Sequence, residues 1–198
     1  MRIVLATRNR GKLAELERIL AGLDVELVPI DLFGGQAPEE AGDTFEENAL
    51  TKARAAVIET GLPALGDDSG LEVDVLRGGP GVVSARYAGA HADDAANRAK
   101  LLAALAGVPP ERRSARFVCV AVLVSRDGRE WITRGVMEGH ITTEPRGKGG
   151  FGYDPVFVAL GENRTNAELP AEVKDARSHR GSAFRALRPT IEALLSES

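Results

Sequence analysis

Ala64-Leu-Gly-Asp-Asp-Ser-Gly-Leu-Glu-Val-Asp-Val-Leu76 is the stretch whose reading decides the fold. A short apolar run, Pro63 to Leu65, reads as a strand entering the interior, and Gly66 followed at once by two carboxylates marks its expected end. Adjacent acids repel, and taking them out of water is costly unless a cation or donor compensates each. In extended geometry Asp67 and Asp68 point to opposite faces, so one can face a cleft while the other braces the turn or reaches a metal through water. Asp-Ser-Gly is also good chemistry for a solvated turn, so the surroundings decide between the two readings.

Upstream, residues 2–6 form a buried-type strand and Thr7-Arg-Asn-Arg-Gly-Lys12 a polar loop. Leu13, Leu16, Leu20 and Leu23 then recur at helical spacing, with Glu15, Glu17 and Arg18 on the other face. A strand, a glycine-containing loop and a helix start set backbone N–H groups beside Lys12, either as an anion site or as a solvated helix start. The Walker pattern is absent. Val25 to Ile30 reads as a second strand, and the segment to Gly42 as a loop carrying Glu39 and Glu40. Thr44-Phe-Glu-Glu47 is a capping box opening a helix through about Glu59. On it Asn48 and Lys52 lie four apart and can reach one ligand together, though Lys52 also suits a plain surface.

Downstream, Asp93 to Ala106 reads as a helix stopped by Pro109 and Pro110. Ala115 to Ser125 and Glu130 to Met137 read as strands joined at Asp127-Gly128, a hairpin signal. A β/α start followed by a hairpin predicts a mixed sheet with helices outside. Gly147-Lys-Gly-Gly-Phe-Gly-Tyr-Asp-Pro155 allows close backbone approach, and Phe151 and Tyr153 offer ring faces; a flexible turn is the plain alternative. Val156 to Leu160 reads as a strand. The last helix carries Phe184, Leu187, Ile191 and Leu194, with Ser178-His179-Arg180 at its start, where a basic pair runs against the helix dipole.

The 198 residues are 43% hydrophobic and 27% charged with net charge −4, an ordinary globular composition that does not point to nucleic acid or a membrane surface. No apolar run approaches the roughly 20 residues that cross a bilayer, and Met1 to Ala6 is too short for a signal peptide. Cys119, the one cysteine, excludes an internal disulfide and predicts a reducing, cytoplasmic setting. The chain reads as a single domain over 1–198 with no linker. The three histidines lack zinc spacing, and Ser69 lacks a nucleophile elbow. What remains is clustered carboxylates, lysines and glycine-rich loops, which together predict Mg²⁺-dependent phosphoryl or nucleotidyl chemistry.

Five motifs stand in order across nearly the whole chain: Ala6 to Lys12, Thr44 to Ala49, Asp67 to Leu71 with Pro80-Gly and Ser84-Ala-Arg-Tyr87, Gly149 to Pro155, and Ser178-His-Arg180. Together they resemble the inosine triphosphate pyrophosphatase (dITP/XTP pyrophosphatase) family. Arg177, where that family usually carries an apolar residue, is a mild departure.

The resemblance implies a long curved mixed β-sheet flanked by helices, in an α/β fold of two lobes with the active cleft between them. It implies a homodimer that uses Mg²⁺ to hydrolyse ITP, dITP and XTP to the monophosphate and pyrophosphate, keeping deaminated purines out of nucleic acid. By similarity, Thr7, Arg8, Asn9, Arg10, Gly11 and Lys12 hold the triphosphate. Asp68 is general base and metal ligand with Lys52 beside it, Glu40 and Asp67 support Mg²⁺, and Ser69 touches substrate. Phe151, Gly152, Tyr153, Asp154, Lys174, His179 and Arg180 enclose the purine. A Maf-like pyrophosphatase acting on other bases, or a nucleotide-binding module without turnover, are the rival readings; the motif order and the intact Lys12, Lys52 and Asp68 speak against them.

Overall fold

The computed structural model describes every residue except 35–37, 39, 40, 92 and 198. Glu39 and Glu40, and with them the metal assignment of Glu40, lie outside the described residues. Six strands make one mixed sheet: β1 (Arg2–Leu5), β2 (Glu26–Pro29), β3 (Ala64–Val73), β4 (Ser114–Val124), β5 (Glu130–Ile141) and β6 (Phe157–Ala159), ordered β2-β1-β3-β4-β5-β6. Five α-helices accompany them: α1 (Arg10–Ile19), α2 (Phe45–Thr60), α3 (Asp94–Ala104), α4 (Ala171–Arg177) and α5 (His179–Ser196). The fold is thus mixed α/β, and no helix among the described residues is long and apolar enough to cross a membrane.

The chain forms two compact units, the first of Met1–Asp68, Cys119–Gly135 and His179–Ser198, the second of Ser69–Val118 and Val136–Ser178. In the first, β1 pairs in parallel with β2 and with β3, Val4 opposite Ala64 and Leu5 opposite Leu65. Parallel neighbours need crossovers, which α1 and α2 supply. The two faces of β1 feed two clusters. Ile3 and Leu5 pack with Leu16, Leu65, Phe184, Leu187 and Ile191, and Val4 and Ala6 with Ile30, Ala56 and Ala64. Burial on both faces explains the unbroken apolar run at the N-terminus. Trp131 packs against the first of these clusters.

Helix α2 begins with the capping box read from sequence: Thr44 accepts from Glu47 N–H at 3.1 Å, and the Glu47 carboxylate accepts from Thr44 N–H at 3.2 Å. Such a cap stabilises a helix by about 1 kcal/mol. At Gly66 a Cβ would stand 2.8 Å from Ala49 O and 3.0 Å from Ala53 Cβ, so this glycine admits α2 against the strand and does not end it. Gly135 on β5 does the same for α5, where a Cβ would lie 2.0 Å from His179 O.

In the second unit, Leu71, Val73, Leu101, Leu105, Phe117, Met137, Ile141 and Phe157 form the core, with Tyr153 inside it and Tyr87 against it. The rings of Phe117 and Phe157 lie 4.6 Å apart, and β5 and β6 pair antiparallel with Gly139 opposite Ala159. Three elements differ from the sequence reading. Strand β3 runs on through both aspartates to Val73, β5 extends to Ile141, and α4 precedes the last helix as a separate helix of about two turns.

Candidate active site

The first unit gathers acids and bases around the two strand aspartates. Alternation sends them to opposite sides. Asp67, 1% exposed, accepts from Lys12 Nζ at 3.0 Å and from Arg180 Nε and Nη2 at 3.2 Å each, with the Cys119 thiol 3.9 Å away. Arg180 in turn donates through Nη1 to Glu15. On the other side Asp68 accepts from Asn48 Nδ2 and from Lys52 Nζ, each at 3.1 Å. The i, i+4 spacing of Asn48 and Lys52 delivers both to one carboxylate, and close packing at Gly66 brings their helix near enough.

The electrostatics follow from this pairing. Burial alone pushes the Asp67 carboxyl up, but Lys12, Arg180 and Lys52 outweigh it and hold the group well below the usual carboxylate range. Burial likewise lowers the affinity of the Arg180 guanidinium for its proton, yet Asp67 and Glu15 more than restore it, so the residue stays charged. Burial and the neighbouring Asp67 charge push the Cys119 thiol up, which leaves it an inert core group. Among the described residues, Lys12, Lys52 and Arg180 equal Glu15, Asp67 and Asp68 in number.

The Thr7–Lys12 loop is built as a helix start. Asn9 is the N-cap of α1, its Oδ1 accepting from Lys12 N–H at 3.0 Å while its own N–H donates to Thr7 Oγ1 at 3.2 Å. Arg8 lies 3.3 Å from Asp31, Arg10 is exposed and Gly11 is half-buried. With no acid in the first turn of α1, the dipole end there is positive, while the Lys12 ammonium is paired with Asp67.

The donor set also bears on a metal. Asp67 Oδ1 is buried and takes no hydrogen bond among the described residues, and Asp68 keeps a further lone pair on each oxygen. Such hard oxygen donors are the kind Mg²⁺ takes, although no three His, Cys, Asp or Glu side chains come together as a metal cluster among the described residues.

The second unit gathers a different set. Asp154, 3% exposed, accepts from Phe151 N–H at 3.0 Å, from Asn166 Nδ2 at 3.2 Å and from Lys174 Nζ. The Lys174 ammonium lies 5.0 Å from the centre of the half-buried Phe151 ring, in cation–π range. Gly150, at φ +68, lies against that carboxylate, and a Cβ there would sit 2.1 Å from Asp154 Oδ2. Gly152 N–H donates to Asp94 Oδ2, and its carbonyl accepts from Arg98 Nη1, both at 2.7 Å. Ser69 is half-buried in the same unit.

Three assignments need restating. Arg180, expected against the purine, spends its guanidinium on Asp67 and Glu15, because two buried carboxylates demand a cation. Tyr153 is 5% exposed and donates its hydroxyl to Ser84 O at 2.8 Å, so it anchors the loop from within the core, and burial pushes its phenol up. Asp154 faces inward to Lys174, Asn166 and Phe151 N–H. His179 is buried in the first turn of α5 in the first unit.

Glu15, Asn166, Asp94 and Arg98 were not found by sequence reasoning. Only Glu15 left a signal, being the one acid flanked by Leu13 and Leu16 of the α1 stripe.

Residues 3–190 match the Ham1 family. A protein of Frankia alni named dITP/XTP pyrophosphatase is 57% identical over 203 residues, covering 99% of this chain and all of that one. Among solved structures, a HAM1 protein from Coxiella burnetii superimposes with TM-score 0.86 at 46% identity over the full length of both chains. A dITP/XTP pyrophosphatase from Mycobacterium abscessus gives 0.76 at 51% identity, over 96% of this chain and all of the other.

Proposed function

The chain belongs to the Ham1 family, and from that premise we propose that it hydrolyses deaminated purine nucleoside triphosphates (dITP, XTP and ITP) to the monophosphate and pyrophosphate. The observation that carries this reading is the buried array Lys12–Asp67–Arg180 beside Lys52–Asp68–Asn48, in a chain 57% identical to a protein named for that reaction.

Lys12, Lys52 and the start of α1 receive the phosphates and offset the charge that grows on departing pyrophosphate. Asp68 is the general base. Its carboxylate is oriented by Asn48 and Lys52, and it accepts a proton from a water aimed at the α-phosphorus. Asp67 is the fixed anion that keeps the Lys12 ammonium in place. Asp68, supported by Asp67 and Glu40, would hold Mg²⁺, which would supply charge neutralisation on the phosphate oxygens. Phe151, Gly152 and Lys174 are assigned to the purine, with Phe151 giving its ring face and Asp154 holding that loop from within, and His179 keeps its assignment to the 6-oxo group. An adenine amino group would set donor against donor there, an unsatisfied contact worth about 1–3 kcal/mol. A homodimer in the cytoplasm completes the reading.

Product analysis on dITP with and without Mg²⁺ tests it. The expected products are dIMP and pyrophosphate in Mg²⁺ only; dIDP and phosphate, or no turnover, would overturn the assignment.

A further inference from the structure

We propose that Asp94 and Arg98 of α3 are positioning residues for base selection, acting by holding both polar groups of the Gly152 peptide unit and so fixing the Phe151 ring. The proposal rests on the assignment of the Phe151 loop to the purine.

Asp94 and Arg98 are four residues apart on one helix and share a face. One accepts from Gly152 N–H and the other donates to Gly152 carbonyl, each at 2.7 Å. Gly152 sits at φ +59, a left-handed conformation reached at no steric cost by glycine but not enforced by it, so an external restraint has something to do. The preceding residue is the half-buried Phe151, whose N–H is already tied to Asp154 and whose ring meets Lys174. Restraints on both sides of its peptide leave the ring little freedom to turn away from a stacked partner.

The helix that supplies this grip is itself anchored. Asn97 accepts from Ala88 N–H at 2.7 Å and donates to Ala85 O at 3.0 Å, and Asp93 caps the helix by accepting from Ala96 N–H at 2.7 Å. The grip is therefore referred to a fixed frame within the second unit. Asp94 is solvent-exposed, and an exposed polar contact adds little to folding stability.

The test compares wild type with Asp94→Ala, Asp94→Asn, Arg98→Ala and Arg98→Lys as full-length proteins. The first readout is hydrogen exchange at the Gly152 amide in the ligand-free protein, which does not depend on any activity. The second is kcat and KM for dITP and dATP.

Expected for Asp94→Ala are amide exchange faster by about 10-fold, KM for dITP raised by about 10-fold with kcat within about 3-fold, and a smaller dITP:dATP preference. Arg98→Ala should show the same kinetic pattern. Asp94→Asn and Arg98→Lys, which keep an acceptor and a donor, should recover most of each effect. Unchanged exchange in Asp94→Ala would remove the grip, and faster exchange with unchanged preference would remove its role in selection. Wild type inert on dITP in Mg²⁺ would instead overturn the functional reading, and base selection with it.

Discussion

In the first unit Asp67 is compensated by side chains from distant stretches, Lys12 at position 12 and Arg180 at position 180, whereas in the second Asp154 relies on its own loop and a nearby turn. Phe151 N–H, three residues away, and Asn166, twelve away, are neutral donors, and Lys174 is the one cation paired with Asp154 among the described residues. The first arrangement is a lattice of charges, strong where every member is present and costly where one is missing. The second is a local hydrogen-bonded loop with a single charge added. A lattice suits a polyanion, whose charge would otherwise disturb its neighbours; a shaped loop suits a flat, neutral ring.

The largest effect should fall on chemistry in the first unit. Asp68→Asn keeps shape and the Asn48 contact but removes the base, so pyrophosphate release should drop about 10²–10⁴-fold in protein that still folds. Near-normal turnover would show that the lattice only binds. Next comes Arg180→Met, which removes the cation that Asp67 and Glu15 share. It should destabilise the protein by about 3–5 kcal/mol in urea unfolding. A loss under about 1 kcal/mol would place both acids in contact with water and end the contrast between the units.

Lys174→Met makes the matching change in the second unit. Asp154 keeps two donors, so the expected loss is smaller, about 1–3 kcal/mol, with a weakened preference for dITP over dATP. A loss equal to that of Arg180→Met would show that the loop too depends on its charge.

The smallest effect is linked to pH. Asp67 titrates below its ordinary value of 3.8 when folded, so its contribution is present above that pH and declines as pH falls, because the unfolded chain binds the proton first. Between about pH 5 and about pH 3 wild type should lose about 1 kcal/mol more than Asp67→Asn, read as the difference in urea midpoints.

Local chemistry was legible in the chain, and remote compensation was not. The capping box at Thr44, the helix following the Thr7–Lys12 segment, the hairpin at Asp127-Gly128 and the opposed directions of Asp67 and Asp68 each depend on residues within a few positions. Strand β3 was expected to stop at Gly66 because two acids cannot enter a core unaided. It continues because Lys12, Lys52 and Arg180 meet them there, and no window around position 67 contains those residues.

The sequence places Glu15 on the face opposite the leucines and hides its role for the same reason: Arg180, to which it is bonded, lies 165 positions away. Arg180 beside His179 did look uncomfortable at a helix start, and the discomfort was real, but its source is two buried carboxylates in the first unit. Gly66 shows a subtler limit, since a glycine that ends a strand and one that admits a helix look alike in sequence.

The aromatic side chains are divided between the units in a useful way. The single tryptophan, Trp131, borders the core of the first, and both tyrosines, Tyr87 and Tyr153, belong to the second. Indole emission and phenol absorbance therefore watch different halves of the molecule with no label attached, and unfolding traces from the two should coincide only when both melt together.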